Sequence, residues 1–505
     1  MSIDLTLGRI RQLAAHLPSY TRPTCHITGT NGKGSVSAIL SSILCASLPP
    51  LSVGRFNSPH LVSVYDSIVI NQKPVTPALY SSARAEVETA DRDHGIGASS
   101  FELLTMTALL VFERCHVDIA VIEVGMGGRL DATNVIPDDY ILVSALCAVD
   151  LDHQTFLGPT VVEITKEKAG IARRGRPFVI GRQSYPEVEE VARRVAADNG
   201  ADVVLASAAT KRPWDDPQSF SFSPSDFRFP PPQPVQIEMP CFSEVVSTSL
   251  PLHGEHQLDN LGLASMIIST LLTHSWCTRT LSVMVRECIT SASVARGVKA
   301  SSWPGRLSFH MINVSPCSTV EMVSQDSRAP LIVLVDGAHN PSSSSILAAY
   351  LLRLFSLFPQ NDLQPRARPR AISLTFIIAL SHSPPKTPLQ TLSPVLQLKF
   401  PPDTEVKMKI AVLRFTPPEG MPWVTSIAPS ELRRVVHSLH PNVDIWAAPD
   451  GGDLQPDQIL HRAFEWAVSG QSSESEELVV LFGSLYLVAD FYRLMREDIL
   501  TVVAR

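Results

Sequence analysis

The sequence lacks a C-x-x-C pair. Its eight cysteines, at 25, 45, 115, 147, 241, 277, 288 and 317, are scattered, which excludes a clustered zinc site and favours free thiols in a reducing compartment. No apolar run approaches the ~20 residues needed to cross a bilayer; the longest, such as Leu374 to Leu380, suit buried strands. Positive charge is not in excess either. A formal net charge of −7 and a pI near 6.1 exclude a general polyanion-binding surface, so no nucleic-acid partner is expected and any nucleotide must be held locally. There is no internal repeat, and no Ser-His-Asp or Cys-His arrangement stands at a recognisable spacing.

What is present is a globular composition, 45% hydrophobic and 18% charged, in a chain of 505 residues, too long for one ordinary core. Two domains are expected, 1–304 and 305–505. Near the N-terminus, Ile10, Leu13, Ala14 and Leu17 at helical spacing after Asp4 read as a folded first helix rather than a cleaved targeting peptide. From the absence of targeting and membrane signals a cytoplasmic location is expected, with a mitochondrial pool left open; a monomer with small-molecule partners and no membrane partner is also expected.

From residue 22 to about 200, β-rich runs alternate with helical patterns, the signature of parallel β-α-β construction. One run ends at His26 to Thr28. Phe101, Leu104, Ala108, Val111 and Phe112 predict a core-facing helix, and Val117 to Val124 and Tyr140 to Leu146 predict strands that neighbour each other in one sheet. Between Lys211 and Pro240 the chain turns rich in Pro, Ser and Phe, which reads as an irregular surface excursion. Helical patterning from about Gln257 to Ala292 leads to Trp303-Pro304-Gly305-Arg306, the expected domain junction. Strands at Leu331 to Val335, Ile372 to Ala379, Lys409 to Phe415 and Leu478 to Phe482 then predict a second domain. The fold class is thus α/β: a P-loop-type, mostly parallel sheet domain with flanking helices, followed by a smaller Rossmann-like α/β domain.

The segment His26 to Ser35 places a Gly-rich turn, Gly29-Thr30-Asn31-Gly32-Lys33-Gly34-Ser35, between a strand and the helical run Val36 to Leu44. Glycines let backbone N–H groups converge on an anion, and the helix turns its positive end to it. Lys33 reaches the β and γ phosphates and Ser35 can ligate Mg²⁺. Two residues separate Gly29 from Gly32-Lys33, where the usual P-loop has four, and an ordinary Gly-rich turn is the plain alternative. Glu123 ends an apolar strand, where an acid is costly unless it meets a cation; a metal is one such partner and Arg129 another. The run Gly125 to Asn134 suits close approach of backbone to a ligand.

The G-T-N-G-K-G-S turn, Asn57-Ser58-Pro59-His60-Leu61 and Glu123 to Asn134 resemble the folylpolyglutamate and dihydrofolate synthase family of Mur-type ligases. The resemblance continues through Asp152-His153, Lys166-Glu167-Lys168-Ala169-Gly170, Gly254-Glu255-His256-Gln257 with Asn260, Trp303 to Leu307, and Asp336-Gly337-Ala338-His339-Asn340-Pro341, nearly the whole chain. It implies Ser35, Ser58, Glu123 and His153 as Mg²⁺ ligands, a carbamate on Lys168, and contacts to ATP from Asn260, Arg306 and Asp336, with His339 nearby. Among these, Lys33, His153, Lys168 and Arg306 are implied in catalysis. For a pterin substrate it points to Ser99, Ser100, Phe101, Glu102, Leu130, Asp131 and Ala132.

Read without that resemblance, Lys166 to Lys168 is a solvated helix end, Asp336 a turn cap, Phe101 a core residue, and Ser99 or Ser100 a helix N-cap. The family's cofactors are ATP and Mg²⁺. Its reaction here is expected to be amide formation between 7,8-dihydropteroate and L-glutamate through an acyl phosphate, with addition of glutamate to tetrahydrofolate as the alternative. Arg414-Phe415 and Glu419-Gly420-Met421-Pro422-Trp423 resemble fungal members acting on dihydropteroate. Because the Gly-rich turn and Asp336 fall in different expected domains, the site is expected in a cleft between them that closes on substrate. Two other classes stay open: a nucleotide-binding regulator without turnover and a P-loop kinase.

Overall fold

The computed structural model describes residues 6–214, 222, 224, 228–314, 330–356, 370–400, 404–418, 424–451, 455–469, 476–496 and 500–502. Residues 1–213 and 232–303 form one compact unit, and 214–231 and 304–505 a second.

The first unit is built on strands that are each buried along their length, although β1 carries Thr24, His26 and Thr28 and β2 carries Arg55: β1 (Thr24–Thr28), β2 (Val53–Phe56), β5 (Ile119–Glu123), β6 (Ile141–Leu146) and β7 (Pro177–Ile180). Continuous burial is what a parallel sheet covered on both faces requires. With β3 (Ile68–Ile70), β4 (Lys73–Pro74) and β8 (Asp202–Leu205) they form an eight-stranded sheet in the order β4-β3-β2-β5-β1-β6-β7-β8. Only β3 and β4 pair antiparallel. The strands expected to be neighbours, β5 and β6, share the sheet but flank β1 on its two sides. Strand order follows where the crossover helices return the chain, not adjacency in sequence.

Alternation along β5 divides the core. Ile119 and Val121 pack with Ile39, Ile43 and Leu271 on one face, whereas Ala120 and Ile122 pack with Ile10, Leu13 and Phe112 on the other. The first face carries helices Lys33–Cys45 and His256–Thr273, the second carries Ser100–Arg114 and Pro77–Asp93. β9 (Thr210–Lys211), β10 (Gln233–Ile237) and β11 (Val246–Leu250) add a small antiparallel sheet at the ends of the Pro-rich stretch.

The second unit has a seven-stranded sheet from β12 (Ser308–Val314), β13 (Leu331–Val335), β14 (Arg370–Ile378), β15 (Thr404–Val412), β16 (Asp444–Ala447), β17 (Glu476–Phe482) and β18 (Leu500–Val502), in the order β16-β15-β14-β17-β13-β12-β18. The first five in this order are parallel, and β12 and β18 are antiparallel additions at one edge. β12, β16 and β18 were not among the expected strands. Helices beginning at Pro341, Pro388, Pro429 and Pro456 show where part of the proline content goes: a first-turn N–H has no intrahelical partner, so proline forfeits nothing there. In the stretch read as a surface excursion, Phe222 is instead fully buried, its ring 5.7 Å from that of Phe309 in the second unit.

In the first unit, helix Ser291–Lys299 packs so closely on helix Lys33–Cys45 that a Cβ on Gly297 would lie 2.7 Å from the backbone N of Ile43. Gly297→Ala is expected to lower stability by about 1–3 kcal/mol through overpacking, seen as an earlier urea midpoint; an unmoved midpoint would show that the helices separate freely.

Candidate active site

Three loops leave the carboxyl ends of adjacent strands β5, β1 and β6, the edge at which open α/β sheets bind ligands. After β1 the chain makes the Gly-rich turn. Gly29 and Gly32 take φ of 149° and 92°, which side chains disfavour, and a Cβ on Gly29 would meet the Cβ of Cys147 at 2.6 Å. Thr30 and Asn31 donate their N–H groups to the Ala148 carbonyl, so these two amides brace the turn and do not reach outward as expected. The first-turn amides of Lys33, Gly34 and Ser35 are those a helix leaves open to an anion. A Cβ on Gly34 would lie 2.5 Å from the Trp303 indole, which Arg55 covers at 5.1 Å from the ring centroid.

Glu123, at the tip of β5, is 5% exposed. Its Oε1 lies 3.8 Å from Lys33 Nζ and its Oε2 accepts from Asn57 Nδ2 at 2.6 Å. Arg129, the alternative partner considered for Glu123, pairs with Glu167 at 2.8 Å. Ser35 Oγ accepts from Gln257 Nε2 at 3.3 Å; Gln257 Oε1 accepts from Asn260 Nδ2 at 2.9 Å, and the Asn260 Oδ1 abuts Gly32. Carboxylate and hydroxyl oxygens suit a hard cation such as Mg²⁺. Among the described residues no three His, Cys, Asp or Glu side chains converge, so a cation here would draw on hydroxyl and phosphate oxygens beside Glu123. Ser58 follows Asn57 directly and is half-buried.

After β6 the loop runs through buried Asp152 to His153, which adopts a left-handed backbone and has its N–H bound to Asp152 Oδ1. Lys168 is not on a solvated face. Helix Val161–Ala169 turns Lys166 outward and Lys168 inward, where its Nζ donates to the Gly29 carbonyl at 2.9 Å. Burial, reinforced by the Lys33 charge and opposed by Asp152 and Asp131, lowers the Lys168 pKa to about 7. Burial also pushes the Cys147 thiol up to about 12, which leaves it inert.

The two segments assigned to a pterin meet at Gly125, where a Cβ would collide with the Phe101 ring and approach Asp131 Oδ2 to 3.1 Å. Asp131 is buried and accepts from Met126 N–H, Thr133 N–H and the Thr133 hydroxyl. Burial raises its pKa and these bonds oppose the rise. Ser99 is the N-cap of helix Ser100–Arg114, closed by Glu102, whose Oε2 also meets Arg9 at 3.2 Å. Ser99 and Glu102 therefore have structural work to do, as the capping alternative holds. Phe101 is partly buried, 6.3 Å from Phe56; Ala132 is buried and Leu130 half-buried.

In the second unit, Asp336 ends β13 and is buried. Its two oxygens accept from the N–H groups of Leu307 and Ala338, both at 2.8 Å. This is the turn-capping role, and it holds Leu307 at a φ of 47°. Burial raises the Asp336 pKa, opposed chiefly by Arg306, whose guanidinium donates to the Gly305 carbonyl and lies against Gly337. His339 Nδ1 is 2.8 Å from the Gly337 carbonyl. Phe415 is a core residue 5.1 Å from Tyr486; Glu419 to Trp423 lies outside the described residues.

Asn57 and Gln257 were missed as side chains acting in the site. Both stood inside quoted motifs, and only their burial marks them out.

Residues 318–494 match the family model described as dihydrofolate synthetase, C-terminal domain. The chain is 32% identical over 497 residues to the dihydrofolate synthetase of Saccharomyces cerevisiae, covering 98% of each, and 30% identical over 509 residues to the probable dihydrofolate synthetase of Schizosaccharomyces pombe, covering 99% of this chain and 100% of that one. The fold matches the folylpolyglutamate synthase of Mycobacterium tuberculosis, solved with ADP and AMPPCP, at a TM-score of 0.70 and 25% identity, over 97% of this chain and 95% of that one.

Lys168 holds its proton less tightly folded than unfolded, so it weakens the fold below pH 7, and that loss is regained as pH rises from about 7 towards 10.5. Wild type should thus gain stability relative to Lys168→Met between pH 7 and about pH 10 in urea titrations. A difference independent of pH would show that Lys168 titrates as an ordinary lysine.

Proposed function

The chain belongs to the family of dihydrofolate and folylpolyglutamate synthases, and we propose from that premise that it joins 7,8-dihydropteroate to L-glutamate, converting ATP to ADP and phosphate. The geometry that carries this reading is the approach of Lys33 to Glu123 at the mouth of the Gly-rich turn, a cation and a metal-binding carboxylate beside open helix amides. Full-length likeness to two fungal dihydrofolate synthetases supports dihydropteroate over a folate as the acceptor.

A carboxylate does not condense with an amine in water at useful rates. One acceptor oxygen therefore attacks the γ-phosphorus of ATP, the bond to the β-phosphate oxygen breaks, and ADP leaves. The glutamate amine then attacks the acyl carbon, the C–O bond to phosphate breaks, and the amine gives up a proton. Phosphoryl transfer of this kind depends on positioning and charge neutralisation rather than on a protein nucleophile. Lys33 and the amides of Lys33, Gly34 and Ser35 hold the phosphates, and Arg306 adds a planar fork of donors. Glu123 and Ser35, with Ser58 and His153, hold Mg²⁺, which when bound neutralises phosphate charge.

Asn260 orients the turn through Gly32, and Asp336 keeps the Arg306 loop in shape. Phe101, Gly125 and Asp131 form the side that takes the pterin. Lys168, with a pKa lowered to about 7, has a large fraction of neutral amine at neutral pH, the form that captures CO₂ as a carbamate.

Supplying ATP, Mg²⁺ and glutamate with either dihydropteroate or tetrahydrofolate is expected to give ADP with dihydropteroate; turnover with tetrahydrofolate alone would make the chain a folylpolyglutamate synthase. Hydroxylamine should trap a hydroxamate, which neither a regulator nor a kinase forming a phosphoester would yield, and Lys33→Ala should abolish it. With ¹³C-bicarbonate, a carbamate resonance is expected that Lys168→Met removes; an unchanged spectrum in the variant would place the carbamate elsewhere.

A further inference from the structure

We propose that Asn57 is a positioning residue that fixes which oxygen of Glu123 faces the cation. The inference rests on the reading of Glu123 as a metal ligand and adds to it a residue that does not itself bind metal. Asn57 stands just past the carboxyl end of β2, next to β5, and is 4% exposed. Its Nδ2 donates twice, to Glu123 Oε2 at 2.6 Å and to Ser37 Oγ at 2.8 Å. The direction of both bonds is fixed by chemistry. Ser37 spends its own proton on the carbonyls of Lys33 and Gly34, at 2.8 and 3.1 Å, so its oxygen can only accept from Asn57. A flipped amide would set Oδ1 against an ionised carboxylate and against that same hydroxyl oxygen.

The arrangement divides the two oxygens of Glu123. Oε2 is tied by a short, charge-assisted bond, and Oε1 faces the cation Lys33 at 3.8 Å. The bond from Asn57 holds Oε2 in place and leaves Oε1 turned to Lys33. The orientation has a cost, because Asn57 Oδ1 is buried with no hydrogen-bond partner among the described residues. An unmet buried acceptor is unfavourable, and here it is the consequence of turning both N–H groups inward. The same contacts join Glu123 to the Gly-rich turn: Asn57 holds Ser37, and Ser37 holds the backbone of Lys33 and Gly34. Carboxylate and phosphate-binding helix are thereby set at one fixed offset.

Groups that orient a metal ligand without touching the metal typically change its affinity by about 10- to 100-fold when removed. The test is Mn²⁺ affinity, read by electron paramagnetic resonance with AMPPCP bound, for wild type, Asn57→Ala, Asn57→Ser and Glu123→Gln. Asn57→Ser keeps a polar group in the buried space but ends one bond short of Glu123, so it serves if Asn57→Ala does not fold. Either Asn57 variant is expected to weaken Mn²⁺ at least about 10-fold while ADP affinity in the absence of metal stays within twofold, and excess Mg²⁺ should restore kcat. If Glu123→Gln weakens Mn²⁺ and both Asn57 variants bind it like wild type, the positioning role is wrong and the metal ligand stands. Should Glu123→Gln bind Mn²⁺ like wild type, the reading of Glu123 falls and this inference with it.

Discussion

The burial of one carboxylate governs the arrangement of the first unit's site. Glu123 sits where an apolar strand ends, and taking its charge out of water is tolerable only with cations and donors supplied around it. Lys33 comes from the turn after β1 and Asn57 from the end of β2, so two neighbouring strands converge on the tip of a third. The sheet order is what makes this convergence available. Had β5 lain beside β6, as adjacency in the sequence suggested, only one of β1 and β2 could have stood next to it.

The same economy of space explains the glycines. Gly29, Gly32, Gly34 and Gly125 each stand where a side chain would strike Cys147, Asn260, Trp303 or Phe101. The Gly-rich turn is thus held from outside by packing as much as it is opened from inside by its own backbone freedom. Its upper amides are spent on the Ala148 carbonyl, which leaves the helix start as the anion-facing surface.

Much of this was legible in the residues, and the limits have physical causes. Strands buried on both faces read as largely apolar runs, so β5, β6, β13 and the apolar end of β17 stood out. β12, only partly buried along most of its length, mixes polar with apolar residues and does not. Helix phase decides Lys168: composition makes Lys166-Glu167-Lys168 look solvated, and only two steps of helical rotation separate an outward lysine from a buried one. The strand end and the Gly-rich turn drew attention to Glu123 and Ser35, but nothing in the residues singled out the amides of Asn57 and Gln257 that bond to them, since a buried amide and a surface amide look alike in sequence. At Asp336 and Ser99 the plain readings, a turn cap and a helix cap, describe the bonds those side chains make.

Phe222 carries a consequence for how the chain becomes a protein. Residues 214–231 count with the second unit although the first unit resumes after them, so the polypeptide passes between units three times rather than once. On a ribosome, the stretch holding Phe222 emerges well before Phe309 and the sheet it packs on have been made. The first unit must then close its own sheet around a long apolar-bearing insertion whose partner does not yet exist. A cut after Trp303 would leave that aromatic ring on the fragment that lacks Phe309.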